Sequence, residues 1–398
     1  MTTHPFIKFP PDLGEFPARV WLLLGEIQAR IDHIKRLPIP RDESSLLRRM
    51  YLTKGVHSTT AIEGNSFSEE EVERIIEGKM QAPPSREYQQ QQIDNMVEAF
   101  NIVGKTQLGG SSTPFTLELL NSYHAIILSN LDDSLADNVI IGELRTHRVM
   151  VGRYLAAPPG DCPQLVGKYC DWLNQEMPAP DGYVIASQII KAMVAHVYFA
   201  WIHPYGDGNG RMTRLIEFVI LLRAGVPDAA AHLLSNFYNK TRDQYYSRLQ
   251  ASHGEYQDGS YPETSNILGF IGYALQGFKD ELDEQFEIVH GMQLRIIWHD
   301  VIHAEFRKRF SENLSAARQR QKRLVLDLTI HRFDEAVNKN QIRDVSPALY
   351  HAYAERNKRM IQRDLNALVD MELLIHDGTG YKPNTDILMG FFANVRAE

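Results

Sequence analysis

"AWIHPYGDGNGRMTRLIEF", residues 200–218, decides how the rest of the chain is read. An apolar run ends at His203, three glycines and an asparagine follow, and a new apolar period begins near Leu215. Consecutive N–H groups in a glycine-rich turn converge into an anion-binding nest. A helix N-terminus adds unpaired N–H groups and a favourable dipole. Glycine suits such a turn because side chains would clash with a ligand pressed against the backbone. Arg211 and Arg214 stand three apart at the start of the second helix and point the same way. Their planar forks can grip phosphate oxygens. Asp207 is the natural ligand for a Mg²⁺ that bridges phosphates. His203 is the only side chain of the stretch that titrates near neutrality, which makes it the candidate general base.

The plain alternative is a glycine-rich helix connection with a satisfied core histidine. A fixed order of His, Asp, Asn and two Arg around the glycines favours a site instead. No Gly-Lys-Ser/Thr follows, so this is not a Walker loop, and a helix rather than a strand precedes it, so it is not a Rossmann fingerprint.

"HPYGDGNGR" followed by Arg214 resembles the signature of the Fic family, H-P-F-x-D/E-G-N-G-R-x-x-R, with Tyr205 where the family usually has Phe. "GELRTHRVMVG" (142–152) resembles the approach to that family's flap hairpin, and "LSNFYNKTRDQYYSRL" (234–249) its later helix. The resemblance covers most of residues 1–280 and implies transfer of AMP from ATP onto a Ser, Thr or Tyr hydroxyl of a protein. Carried onto this chain, His203 would deprotonate the hydroxyl and Asp207 would hold Mg²⁺. The loop from Gly206 to Gly210 would cradle the α-phosphate region, through the N–H groups of Gly208, Asn209 and Gly210 and the Asn209 side chain. Arg211 and Arg214 would hold the outer phosphates. Ser235 and Asn239 are the candidates for the base pocket. The flap near 149–156 would align the target by strand pairing.

Glu63 ends a helix whose buried-side face carries Leu52, Val56 and Thr59. A carboxylate there meets the negative end of the helix dipole and requires a cationic partner. "TTAIEG" (59–64) is similar to the family's inhibitory motif, S/T-x-x-x-E-G, which begins here at Thr59 and implies pairing of Glu63 with Arg214. The resemblance leaves open an enzyme that mainly removes AMP.

Composition sets the frame. The 398 residues are 43% hydrophobic and 23% charged, enough for two or three domains with buried cores. A net charge of -8 argues against a chain coated in positive charge for nucleic acid. Two cysteines, Cys162 and Cys170, fit a reducing compartment. With no signal pattern at the N-terminus and no apolar run near the roughly 20 residues of a membrane span, a cytoplasmic protein is expected.

Helical periodicity dominates, with a short hairpin near Val149–Val151. The expected fold is therefore mainly α: a Fic-type helical bundle with a β-hairpin flap and a C-terminal winged helix. The division reads as 1–112, an N-terminal helical region; 113–262, the catalytic domain; 263–312, a helical extension; and 313–398, the winged helix. That last assignment rests on "SPALYHAYAE", "KRMIQRDLNALVDMELL" and the turn "DGTGY". Arg356, Lys358, Arg359 and Arg363 cluster at the start of the second helix and suit DNA phosphates, while Asp364 dilutes them. Dimerisation or target docking is the other role open to this segment. The run "ARQRQKR" (317–323) reads as a solvated helix face. A DNA-binding regulator with a nucleotide-sensing domain is the remaining alternative to an enzyme.

Overall fold

Residues 184–202 are apolar on nearly every side, a pattern that only a helix surrounded by protein can satisfy. In the computed structural model this segment is the central helix of an α-helical assembly. Described are residues 4–9, 16–108, 113–177, 182–310, 313–329, 335–354 and 358–388. The helix is long and apolar enough to cross a membrane, which the apolar runs had not suggested, yet 83% of that window is buried inside the protein.

Around it stand α1 (Ala18–Arg36), α2 (Arg41–Ile62), α3 (Glu69–Ile76), α4 (Glu87–Leu108) and α5 (Leu117–Ile127). A minimal hairpin, β1 (Met150–Val151) and β2 (Tyr154–Leu155), leads to α6 (Cys162–Asn174) and the central α7 (Val184–Ile202). Then follow α8 (Asn209–Arg223), α9 (Asp228–Ala231), α10 (Leu233–Lys240), α11 (Arg242–Ser252) and the long α12 (Ile267–Phe310). The chain falls into two compact units, residues 1–286 and 287–398, divided inside α12.

Local chemistry accounts for the boundaries. Ser68 and Glu71 form the capping box that their spacing predicts, opening α3. Gly64 stops α2 with a left-handed φ of 94°. The single helix expected over 234–249 is instead two, because Thr241 leaves helical geometry and bonds back to the Phe237 carbonyl at 2.8 Å.

Residues 287–398 hold α13 (Ala316–Asp327), α14 (Pro347–Tyr353), α15 (Lys358–Asp370), β3 (Leu374–His376) and β4 (Tyr381–Pro383). The helices precede a hairpin that turns at "DGTGY", in the order expected. Trp298, Phe306, Leu324, Leu349, Leu365 and Leu374 share its core. Two charge readings need correction. Asp364 is 1% exposed and dilutes no surface cluster; it accepts from Arg320 (2.6 Å), Gln321 (2.9 Å) and Tyr353 (2.9 Å). Arg320 therefore does not lie on a solvated face but joins α13 to α15 as half of a buried pair. Arg356 and the Lys358 side chain lie outside the described residues.

Removing one partner of such a pair leaves buried donors without an acceptor. Asp364→Ala is expected to destabilise residues 287–398 by about 3–5 kcal/mol. Urea unfolding followed by near-ultraviolet circular dichroism checks this, and an unchanged midpoint would contradict it.

Candidate active site

The junction between α7 and α8 fixes the loop. His203 ends α7 in a left-handed conformation, φ 48°, unusual for a residue with a side chain. Arg145 holds it there: its Nε donates to the His203 carbonyl at 2.7 Å, and its backbone N–H to the Pro204 carbonyl at 2.9 Å. The same guanidinium reaches the carbonyls of His147 (2.7 Å) and Ala157. Arg145 thus places its charge on the negative end of α7 and ties the loop to the segments flanking the hairpin. Nothing in its spacing singled it out.

The loop then folds onto itself. Asn209 accepts from the Tyr205 N–H at 3.0 Å and donates to the Tyr205 carbonyl at 2.8 Å. Its side chain thereby shapes the loop, and the residue lines the cavity beside His203. Tyr205 is fully buried, and its hydroxyl finds Asn121 at 2.9 Å, which accommodates the extra oxygen relative to Phe. His124 stacks on Tyr205 at 3.8 Å and reaches the Asp207 carbonyl through Nε2 at 3.0 Å, while its Nδ1 accepts from the Gly142 N–H at 2.9 Å. The apolar helical neighbours of His124 hid a role in holding this loop.

Gly208, φ 74°, turns the chain into α8. The first N–H groups of that helix have no partner within it. Gly206 passes so close to Val139 that a Cβ would stand 2.9 Å from its Cγ2. At Gly210 a Cβ would collide with the Glu63 carboxylate, 2.2 Å from Oε1, so Glu63 lies directly over the first turn of α8.

Arg214 is 1% exposed. Its Nη2 donates to Glu63 Oε1 at 2.6 Å and to the Thr59 carbonyl at 3.0 Å, and its Nε to Thr59 Oγ1 at 2.7 Å. Burial pushes the Glu63 carboxyl up, but Arg214, with Arg211 and His203, outweighs it and holds the group below the usual range. Burial likewise lowers Arg214 and the Glu63 charge raises it, leaving it above its ordinary value. Three further guanidinium nitrogens are buried with no hydrogen-bond partner: Arg211 Nε, Arg211 Nη1 and Arg214 Nη1. Buried donors left open beside a helix N-terminus mark a place built for an anion.

A cavity of about 410 Å³ opens here, lined by Glu63, His203, Asn209, Gly210, Thr213 and Arg214, by Val151–Tyr154 of the hairpin, and by Tyr245, Tyr246, Leu249, Gln250 and His253. Its size suits a nucleotide-scale ligand. Asp207, Gly206, Gly208 and Arg211 lie outside this lining, with Asp207 half-exposed and 3.4 Å from Arg211. Ser235 and Asn239 do not line it either; α11 forms that wall in place of the proposed α10 residues. Their two-helix register was hidden by the break at Thr241.

Burial, aided by Arg145, brings His203 down to about 4 against the opposing pull of Glu63 and Asp207. Burial and Arg211 bring His124 to about 4 as well. Both imidazoles are therefore neutral at physiological pH. Between the ordinary 6.5 and about 4, the unfolded chain takes up protons that the folded chain refuses. Stability contributed by these groups is thus complete above 6.5 and falls as pH drops through that window. Histidine NMR titration is expected to show His203 and His124 titrating near 4, whereas a His203 midpoint near 6.5 would contradict the burial argument.

Residues 114–221 match the Fic/DOC family model. Over 212 residues the chain is 29% identical to "Protein adenylyltransferase fic-1" of Caenorhabditis elegans, covering 52% of this chain and 39% of that protein. Over 237 residues it is 28% identical to "Protein adenylyltransferase Fic" of Nematostella vectensis, covering 58% and 51%. The matches therefore span about half or less of those relatives. Among solved structures, a Fic family protein from Desulfovibrio desulfuricans G20 superimposes with a TM-score of 0.55 at 18% identity, covering 94% of this chain and 98% of that one. Fic-1 from C. elegans does so with a TM-score of 0.52 at 22% identity, covering 67% and 72%.

Proposed function

We propose, from the match of residues 114–221 to the Fic/DOC family model, that the protein transfers AMP from ATP to a protein hydroxyl and is restrained by Glu63. The observation that carries this reading is the set of buried, unpartnered guanidinium donors of Arg211 and Arg214 beside the α8 N-terminus. Such transfer needs little covalent help from the protein beyond positioning, charge stabilisation and removal of one proton.

His203 accepts the proton of the target Ser, Thr or Tyr hydroxyl. The N–H groups at the start of α8 receive phosphate oxygens, and the open nitrogens of Arg211 and Arg214 take charge on the departing pyrophosphate. Asp207 suits Mg²⁺, because that ion uses one or two carboxylates and completes its shell with phosphates and water. When bound, Mg²⁺ neutralises phosphate charge. Among the described residues no cluster of three or more His, Cys, Asp or Glu offers a separate metal cage. The α11 wall, with Tyr245 and Tyr246, takes the place we assign to the base.

Glu63 occupies Arg214 and covers Gly210, where an outer phosphate would sit. In this reading ATP binds with its outer phosphates displaced until α2 moves the carboxylate away. Glu63 also faces the cavity that holds His203, so the same carboxylate suits a water-positioning role in AMP removal. For residues 287–398, a cavity of about 320 Å³ lined by Lys339, Arg343 and Arg359 favours contacts with nucleic-acid phosphates as a second function.

Glu63→Gly is expected to raise incorporation of labelled AMP at least tenfold, since it removes a competing anion from a buried cation. His203→Ala in the same background is expected to abolish it. Mass spectrometry after incubation with Mg-ATP reads both; a Glu63→Gly protein that gains no AMP would remove the restraint from the account.

A further inference from the structure

The hairpin beside the cavity has one closed edge and one open edge. Leu155 of β2 donates its N–H to the Tyr261 hydroxyl at 2.8 Å and accepts from His4 Nε2 at 2.9 Å on its carbonyl. Phe6 and Tyr261 pack around that imidazole, so the β2 edge is covered by the chain itself. Met150 stands opposite Leu155, and in an antiparallel pair its own outward groups face the other edge. Among the described residues nothing takes them. Met150 is 66% and Val151 41% exposed, a short apolar strand left open to solvent.

Charge at this edge is one-sided. Arg153 sits in the hairpin turn, is exposed, and lines the mouth of the cavity that contains His203. Arg148 precedes β1 and is exposed as well, but it borders a small cavity with His4, Leu155 and Tyr256 on the covered side. Neither has an ion-pair partner among the described residues. The carboxylate in the cavity lining, Glu63, is already engaged by Arg214. In a chain of net charge -8, the exposed Arg153 beside a bare strand edge and the His203 cavity gives a local positive charge.

We propose that the open edge of β1 selects an extended protein segment whose modified hydroxyl is accompanied by an acidic residue, read by Arg153. The proposal rests on the transfer reading above and adds the chemistry of the target. Main-chain pairing to Met150 supplies sequence-independent affinity, and the exposed Met150 and Val151 side chains supply the apolar contact. Arg153 supplies the choice, by attracting a carboxylate and repelling a cation at the same position. Its charge is solvent-exposed, so the preference is modest and falls with salt.

The test measures binding separately from transfer. Fluorescent extended peptides, matched except for Asp or Lys at each position flanking a central hydroxyl residue, are titrated into the full chain by anisotropy at low and high salt. At one or more positions the Asp peptide is expected to bind up to about fivefold tighter than its Lys twin, the range of an exposed ion pair. Arg153→Glu reverses that preference, and Arg153→Gln abolishes it without reversal. Equal binding of the pairs, or a preference unchanged in Arg153→Glu, overturns the proposal. Incubating the bound peptides with Glu63→Gly protein and labelled ATP then separates the two readings. Charge-dependent binding without AMP incorporation counts against transfer and leaves the recognition surface standing.

Discussion

A guanidinium withdrawn from water must have an anion beside it, and Arg214 imposes that condition on the whole site. It is 1% exposed, one turn into α8, where the helix N-terminus already disfavours positive charge. In the structure its demand is met by Glu63 and by both oxygens of Thr59. The carboxylate is not simply a surface group that found a cation. Its position over Gly210 requires the missing side chain there, and Gly210 in turn starts the helix that carries Arg214. One buried charge thus links the end of α2 to the loop after α7. In the proposed reaction a phosphate satisfies the same demand, and two anions compete for one place.

The loop can serve that competition only if its own shape does not depend on which anion is bound. Its rigidity comes from contacts behind it. Arg145 fixes the left-handed turn at His203, Asn209 closes the loop on Tyr205, and His124 supports both the Tyr205 ring and the Asp207 carbonyl. Each of these side chains spends its hydrogen bonds on backbone rather than on the cavity. Neutral histidines suit that arrangement, because a charged imidazole at His124 would stand against Arg211.

Much of this was legible in the order of residues. The motif around His203, the helical pattern and the hairpin follow from short-range chemistry, glycine at a forced turn and arginines one turn apart. The pairing of Glu63 with Arg214, 151 residues apart, was expected only from the resemblance of "TTAIEG" to an inhibitory motif. What was not legible depends on contacts between distant segments. Asn121 and Tyr205 are 84 residues apart, and nothing local announces their bond. The same holds for Arg145, whose partners sit at the far end of α7, and for Asp364, whose burial follows only from the packing of α13 on α15. The segment read as one helix is split at Thr241, and its second half, α11, supplies the cavity wall where Ser235 and Asn239 of the first half do not.

If Glu63 and a phosphate compete for Arg214, thermodynamic reciprocity binds the two ends of the problem. Every contact that holds α2 in place weakens the outer-phosphate site by the same free energy with which phosphate loosens α2. Among them, Tyr246 donates to the Ile62 carbonyl at 3.2 Å, and Ser58 to Asn236 at 3.4 Å. Tyr246 also lines the cavity, so a base seated against the α11 wall meets the residue that steadies the last turn of α2. Nucleotide binding and release of the carboxylate are then not separate events needing a distant messenger. They share a wall, and the strength of the restraint is set by how much of that wall the nucleotide must rearrange before Arg214 can change partners.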